Sequence, residues 1–198
     1  MRNKLIALAS VALLAVGSIT GCSTTSKPAD PTAAAKKQSI DTEVDAALDR
    51  LYAQDPAARE LVAKARGTLV FPSVVSAGFV VGGSYGQGAL RTQGSTDRFP
   101  TPSVSYYKTA AASVGLLAGA ESKSVFILFM TQEALDKFKA SNGWTVGADA
   151  SVSMMKVGAN AGVDTSTAQS AVIGYVLTKG GLMANLSLEG TKVTPLEL

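Results

Sequence analysis

Histidine is absent from this chain, and cysteine occurs once, at position 22. Without imidazoles or a second thiol, zinc sites built on His and Cys are excluded, as are Ser-His-Asp and Cys-His nucleophile systems. A lone cysteine also rules out a disulfide within the domain. Carboxylates, Lys and Tyr remain for acid–base work, but the residue that titrates nearest neutrality is missing, which points away from an enzyme. No basic run and no basic stripe interleaved with aromatics is present, so nucleic acid is not an expected partner. The acidic residues Asp41, Glu43, Asp45 and Asp49 lack the Asp-x-Asp-x-Asp-Gly order of a calcium loop, and neither metal nor cofactor is expected. The longest leading apolar run, Leu5 to Val16, falls short of the roughly 20 residues a spanning helix needs.

What is present begins at the N-terminus. Arg2 and Lys4 precede that apolar run, and Ile19-Thr20-Gly21-Cys22 follows it. Charged, apolar and small residues in that order read as a secretory signal over residues 1–21. Small residues before a single Cys resemble the lipobox of lipoprotein signal peptidase, which implies that Cys22 becomes an acylated mature N-terminus. Each buried methylene of such a chain contributes about 0.8 kcal/mol of membrane affinity, so two or three chains hold durably. The alternative is an ordinary signal followed by a chance cysteine. Residues 22–38, rich in Ser, Thr, Pro, Ala and Lys, read as the acylated end and a flexible tether. Ser23 stands where Asp would mark inner-membrane retention, which by resemblance points to an outer-membrane lipid anchor facing the periplasm or the cell surface. Removal of Arg2 and Lys4 brings the formal net charge from +3 toward neutrality.

Residues 39–198 are long enough for one domain with a proper core. Ser39 is a plausible N-cap, after which Ile40, Val44, Ala47, Leu48 and Leu51 recur at helical spacing. Asp55-Pro56 restarts a helix with Leu61, Val62 and Ala65 inward, ended by Gly67. The texture then turns to strands: Thr68–Phe71, Val75–Val81, the glycine-rich Gly82–Leu90, Val104–Lys108, Ala112–Leu117 and Val125–Met130, the last buried on both faces. Thr131 caps one amphipathic helix with Ala134, Leu135 and Phe138 inward. Val146–Val152 and Val157–Val163 echo one another and suggest a hairpin turning at Ser153–Lys156. Ala171–Leu177 and Leu182–Leu188, separated by Lys179-Gly180-Gly181, add two strands. The fold class expected is α+β: N-terminal helices, then a large, mainly antiparallel β-sheet with one inserted helix.

The glycine-rich stretch does not serve as a phosphate loop, because no helix with Lys-Ser/Thr at its start follows it. In a strand, Gly82, Ser84, Gly86 and Gly88 share one bare face that lets another element approach closely. Tyr106 and Tyr107 point to opposite faces, either as ordinary half-buried sheet or with one ring at a membrane interface. Trp144 is expected in the core. The acidic cluster on the first helix reads as a solvated face. Arg59 and Arg66, flanked by Lys64, form a modest cationic patch on the second helix, worth about 1 kcal/mol per charge near anionic lipid. The same residues read equally well as a solvated helix face.

Several segments in order carry a family resemblance. They are Ala77–Gly88, Ser124–Phe138, Gly143–Val146 and, most specifically, Tyr175–Gly190 with its Lys179-Gly180-Gly181-Leu182 and Leu186-Ser187-Leu188-Glu189-Gly190. Together, over roughly residues 40–195, they resemble the SYLF domain family, known in yeast actin regulators and common in bacterial lipoproteins. The resemblance implies a non-enzymatic domain that binds phosphoinositide and other anionic lipid headgroups, with a fold likened to the BON domain. Around Met154–Gly158 the chain departs from the Gly-Pro-x-Gly-Arg segment of that family. Arg59, Lys64, Arg66 and Lys179 are then the candidate lipid-binding residues, beside Cys22 as the lipidation site. The rival expectation is a structural or interaction module that binds an envelope protein or peptidoglycan, since an exposed sheet edge can recruit another strand.

Overall fold

The computed structural model describes residues 31–93, 103–155, 169–178, 181–182 and 188–198, with positions 79–81, 113–119 and 181–182 described by backbone alone. Cys22, Lys179, the second half of the proposed hairpin and most of Leu182–Leu188 lie outside the described residues. The fold is α+β, as expected. Two helices, α1 (Pro31–Gln54) and α2 (Pro56–Lys64), precede a seven-stranded, mostly antiparallel sheet, and α3 (Gln132–Ala140) is inserted within it. The strands are β1 (Gly67–Thr92), β2 (Ser103–Phe129), β3 (Trp144–Thr145), β4 (Ser153–Met154), β5 (Val172–Thr178), β6 (Gly181–Leu182) and β7 (Lys192–Pro195).

α1 begins at Pro31, so part of the expected tether is helical and Ser39 is not its cap. Pro is suited to the first helical turn, and Ala33-Ala34-Ala35 are strong helix formers that need no buried face. The α1 stripe is buried as expected at Ile40, Val44, Ala47 and Leu51, with Leu48 half-buried. On α2, Ala58 joins Leu61 in the core and Val62 is half-buried. That helix ends at Lys64, so that Ala65 is its buried C-cap and Gly67 opens β1. Asp55 caps α2, its carboxylate accepting from the Ala57 N–H at 3.1 Å.

The larger difference lies in the sheet. Six expected strand segments are two, β1 and β2, paired from Gly67↔Phe129 to Thr92↔Ser103. Pro72, which looks like a strand break, sits in a register shift between Phe71 and Val74, where two β1 residues face one on β2. A bulge accommodates the missing N–H of Pro and bends the ribbon. Ser124 Oγ donates to the Pro72 carbonyl at 2.7 Å and closes the kink. A second shift falls between Gly78 and Val80.

The two irregularities let the ribbon curl back on itself. A straight strand the length of β1 would run roughly 85 Å at 3.3 Å per residue. Instead its ends meet: the Gln93 N–H donates to the Arg66 carbonyl at 3.3 Å. Bare glycines make that approach possible. A Cβ on Gly88 would stand 2.0 Å from the Val70 carbonyl oxygen, and one on Gly86 would stand 2.9 Å from that of Ser73.

Alternation along the ribbon builds two cores. Leu69, Phe71, Val125, Ile127 and Phe129 face the inside of the curl, which α3 closes with Leu135 and Phe138. Trp144 is buried there, edge-on to Phe129 and Phe138 with centroids 6.0 and 5.4 Å away. Val70, Phe126, Leu128, Ile173 and Tyr175 face outward under α1 and α2. Strand segment 125–129 is therefore buried on both faces, as its unbroken apolar run requires.

The expected hairpin is overturned at its first half. Val146–Ala150 turns back on itself instead of extending: Gly147 has φ +90°, and the Asp149 carboxylate takes the Thr145 N–H at 2.6 Å. A short acidic side chain that captures a nearby N–H competes with strand pairing. The expected turn at Ser153 is strand β4, parallel to β5. β7, absent from the sequence reading, pairs with both β2 and β3.

Candidate functional site

The cationic residues picked out on α2 are exposed but already engaged. The Arg59 guanidinium lies 4.4 Å from the Tyr52 ring centroid. Lys64 Nζ pairs with Glu60 at 2.6 Å one helical turn away, and that hydrogen bond, ahead of simple charge attraction, holds the Glu60 carboxyl below its usual range. An exposed pair of this kind contributes little to stability, yet Glu60 offsets one of the three charges that the spacing suggests. Arg66 lies just past the helix, exposed in its side chain, with its backbone N–H donating to the Phe129 carbonyl at 2.8 Å. Arg59, Lys64 and Arg66 thus occupy one stretch of the helical layer, while Cys22 and Lys179 lie outside the described residues.

The acidic face of α1 is not simply solvated. Asp45 pairs with Arg91 of β1 across the layer. Asp41 Oδ2 accepts from the Tyr106 hydroxyl at 2.9 Å, and its backbone carbonyl accepts from Arg91 at 3.3 Å. Tyr106 therefore ties α1 to the ribbon, with Lys37 Nζ 5.9 Å from its ring centroid. Burial first, then the hydrogen bond to Asp41, pushes its pKa up to about 12. Its neighbour Tyr107 is buried inside the curl, 4.9 Å from Phe138 between centroids. The opposite-face reading of the pair holds.

Two cavities open along α1, and sequence reasoning picked out neither. The first, about 590 Å³, runs between the N-terminal half of α1 and the bent middle of β1, past Lys36, Ile40, Val75, Ala77 and Tyr85. Val75 and Tyr85 are each 49 % exposed, among the few large apolar side chains so open to water. The second, about 330 Å³, is lined by Arg50, Ser73, Ser122, Lys123 and Thr178. Glu43 and Ser73 border both.

Lys123 is half-buried, and desolvation lowers its ammonium below the ordinary lysine range although Glu121 pulls the other way. Ser73 Oγ and Ser122 Oγ lie 3.0 Å apart beside it. The only signal in the sequence was Lys123 itself, a cation set between Ser122 and Ser124 at the mouth of an apolar strand. Among the described residues, no group of His, Cys, Asp or Glu is arranged to hold a metal ion, and no helix is long and apolar enough to cross a membrane.

The chain is thus an α+β fold, a curled ribbon with two helices on its outer face and one closing its inner core. Residues 110–197, from the middle of β2 through β7, match the Ysc84 family model, described as "Las17-binding protein actin regulator". The chain is also distantly similar to SH3 domain-containing YSC84-like protein 1 of Xenopus laevis, 29 % identical over 131 residues, and to the proteins of that name from Rattus norvegicus and Mus musculus at 28 %. Each alignment covers 66 % of this chain but 38 % of the relative, so the chain spans well under half the length of those curated relatives. The SYLF resemblance read from the sequence is thus met by a Ysc84/SYLF match over the C-terminal part of the chain.

Proposed function

We propose that this chain is a non-enzymatic, membrane-anchored envelope lipoprotein whose SYLF domain binds anionic lipid headgroups. Cys22 carries the acyl chains after loss of residues 1–21, and the outer membrane, at its periplasmic face or the cell surface, is its place. The observation that supports the lipid-facing half of this reading is the position of α1. Residues 23–30 reach at most roughly 30 Å, so an anchor at Cys22 keeps the start of α1 within that distance of the bilayer. The α1–α2 layer carries the exposed cations Lys36, Arg50, Arg59 and Lys64, with Arg66 just beyond it. Each cation near an anionic surface contributes about 1 kcal/mol.

Vesicle co-sedimentation of the full chain carrying Cys22→Ser tests this reading without an acyl anchor. Pelleting should rise with anionic lipid content and fall with salt, and the double variant Arg59→Glu, Arg66→Glu should reduce it. Pelleting indifferent to lipid charge at low salt rejects the lipid reading. The second reading, an envelope-protein or peptidoglycan partner, is favoured by one feature: among the described residues β1 pairs with β2 alone. A strand-adding partner would use its open edge. Crosslinking in envelope extracts separates the two, since only this reading expects a defined protein or wall adduct.

A further inference from the structure

The two cavities along α1 share a wall at Glu43 and Ser73. The larger has an apolar stretch, Ile40 from the helix with Val75, Ala77 and Tyr85 from the ribbon, bordered by Lys36, Ser39, Ser84 and Gln87. Its neighbour presents two cations, Arg50 from α1 and Lys123 from β2, with the Ser73–Ser122 hydroxyl pair between strands. Among the described residues, neither Arg50 nor Lys123 has a carboxylate within ion-pairing distance. A half-buried ammonium whose charge is offset only at a distance, by Glu121, is costly unless an anion reaches it. Glu43 stands at the junction and takes a hydrogen bond from Ser39 Oγ at 3.2 Å, so negative charge is disfavoured there and favoured at the far, cationic end.

Resting on the lipid reading above, we propose that the paired cavities form one site for a single anionic amphiphile of the phospholipid class. Its phosphate sits between Arg50 and Lys123, and an acyl chain lies along Ile40, Val75, Ala77 and Tyr85. The volumes fall within the range of small-molecule sites, about 300–1,000 Å³. The charge is complementary at one end, and the lining becomes apolar where a chain would leave the headgroup. This site is separate from the α2 surface: Arg59, Lys64 and Arg66 line neither cavity.

Calorimetric titration of the full chain carrying Cys22→Ser tests it, with dioctanoyl-phosphatidylglycerol kept below micelle formation. Dioctanoyl-phosphatidylcholine and inorganic phosphate serve as comparison ligands. Saturable binding of one anionic lipid per chain is expected, with each comparison ligand about tenfold weaker or more, a change of the size expected for one charge-assisted contact. Arg50→Gln and Lys123→Gln should each weaken binding about tenfold by the same argument, and Val75→Asp should weaken it through the chain. Lys139→Gln, exposed on α3 and away from both cavities, should leave it unchanged.

Thermal melts of each variant separate lost binding from lost folding, and Lys123→Arg should retain affinity. Inorganic phosphate binding as tightly as the lipid overturns the proposal, as does loss at Lys36→Gln with Arg50→Gln and Lys123→Gln silent. No saturable binding, with charge-dependent vesicle pelleting intact, rejects the pocket and leaves the surface reading standing. Loss of both rejects both.

Discussion

Gly88 is the residue on which the curl turns. Its missing side chain lets β1 pass against its own beginning, where any Cβ would meet the Val70 carbonyl oxygen at 2.0 Å. Backbone cannot yield as a flexible side chain can, so Gly88→Ala should destabilise the protein by about 3 kcal/mol, the upper part of the overpacking range. Gly83→Ala on the same strand is the control, because its Cβ would find ordinary contact at 3.6 Å from the Ala111 carbonyl oxygen. Urea midpoints of the two variants should differ accordingly.

Tyr106 carries a pH dependence of definite sign. Its pKa rises from 10.0 to about 12 in the fold, chiefly by burial and then through Asp41. The folded state thus holds its proton more tightly, and this stabilisation is complete below pH 10 and lost as pH rises toward 12. Tyr106→Phe should lower stability near neutrality by about 1 kcal/mol through the lost hydrogen bond and make alkaline unfolding shallower. Tyr52, Tyr107 and Tyr175 are also raised, so the slope should diminish rather than vanish.

At the scale of elements, α1 is the part most dependent on a few polar contacts. It packs on the ribbon through Ile40, Val44, Ala47 and Leu51, and Asp41 and Asp45 tie it to Tyr106 and Arg91. The Arg91–Asp45 pair is partly exposed and contributes on the order of 0.2–1 kcal/mol. Arg91→Ala should therefore speed amide hydrogen exchange along α1 and leave strand segment 125–129 protected. Equal acceleration in both would show the helix to be inseparable from the sheet.

The helices were legible in the sequence because their apolar spacing and caps are local: Thr131 caps α3, and Leu135 and Phe138 are its buried residues, as the pattern requires. The bare face of Gly86 and Gly88 was legible for the same reason. The continuity of β1 was not, since Pro72 punctuates a strand in sequence but sits in a bulge in space. The turn at Val146–Ala150 was misread because alternating Val and Ala fit a strand until Asp149 captures the Thr145 N–H. Arg50 and Lys123 escaped notice because only the curl brings α1 and the bent ribbon together; separated by most of β1 and β2, they share no local pattern.

Seen whole, the molecule has two unlike sides. α3, Trp144 and β7 close the inner core, while α1 and α2 cover the outer one and α1 borders both cavities. On the reading proposed above, the helical layer is the side that meets lipid. The most direct test is residue-resolved NMR of the full chain carrying Cys22→Ser, titrated with bicelles that contain or lack anionic lipid. Amide shifts confined to α1, α2 and segments 73–77 and 122–124, and seen only with anionic bicelles, are the predicted result. Shifts clustered on α3, β3 and β7, or identical with zwitterionic bicelles, would contradict it.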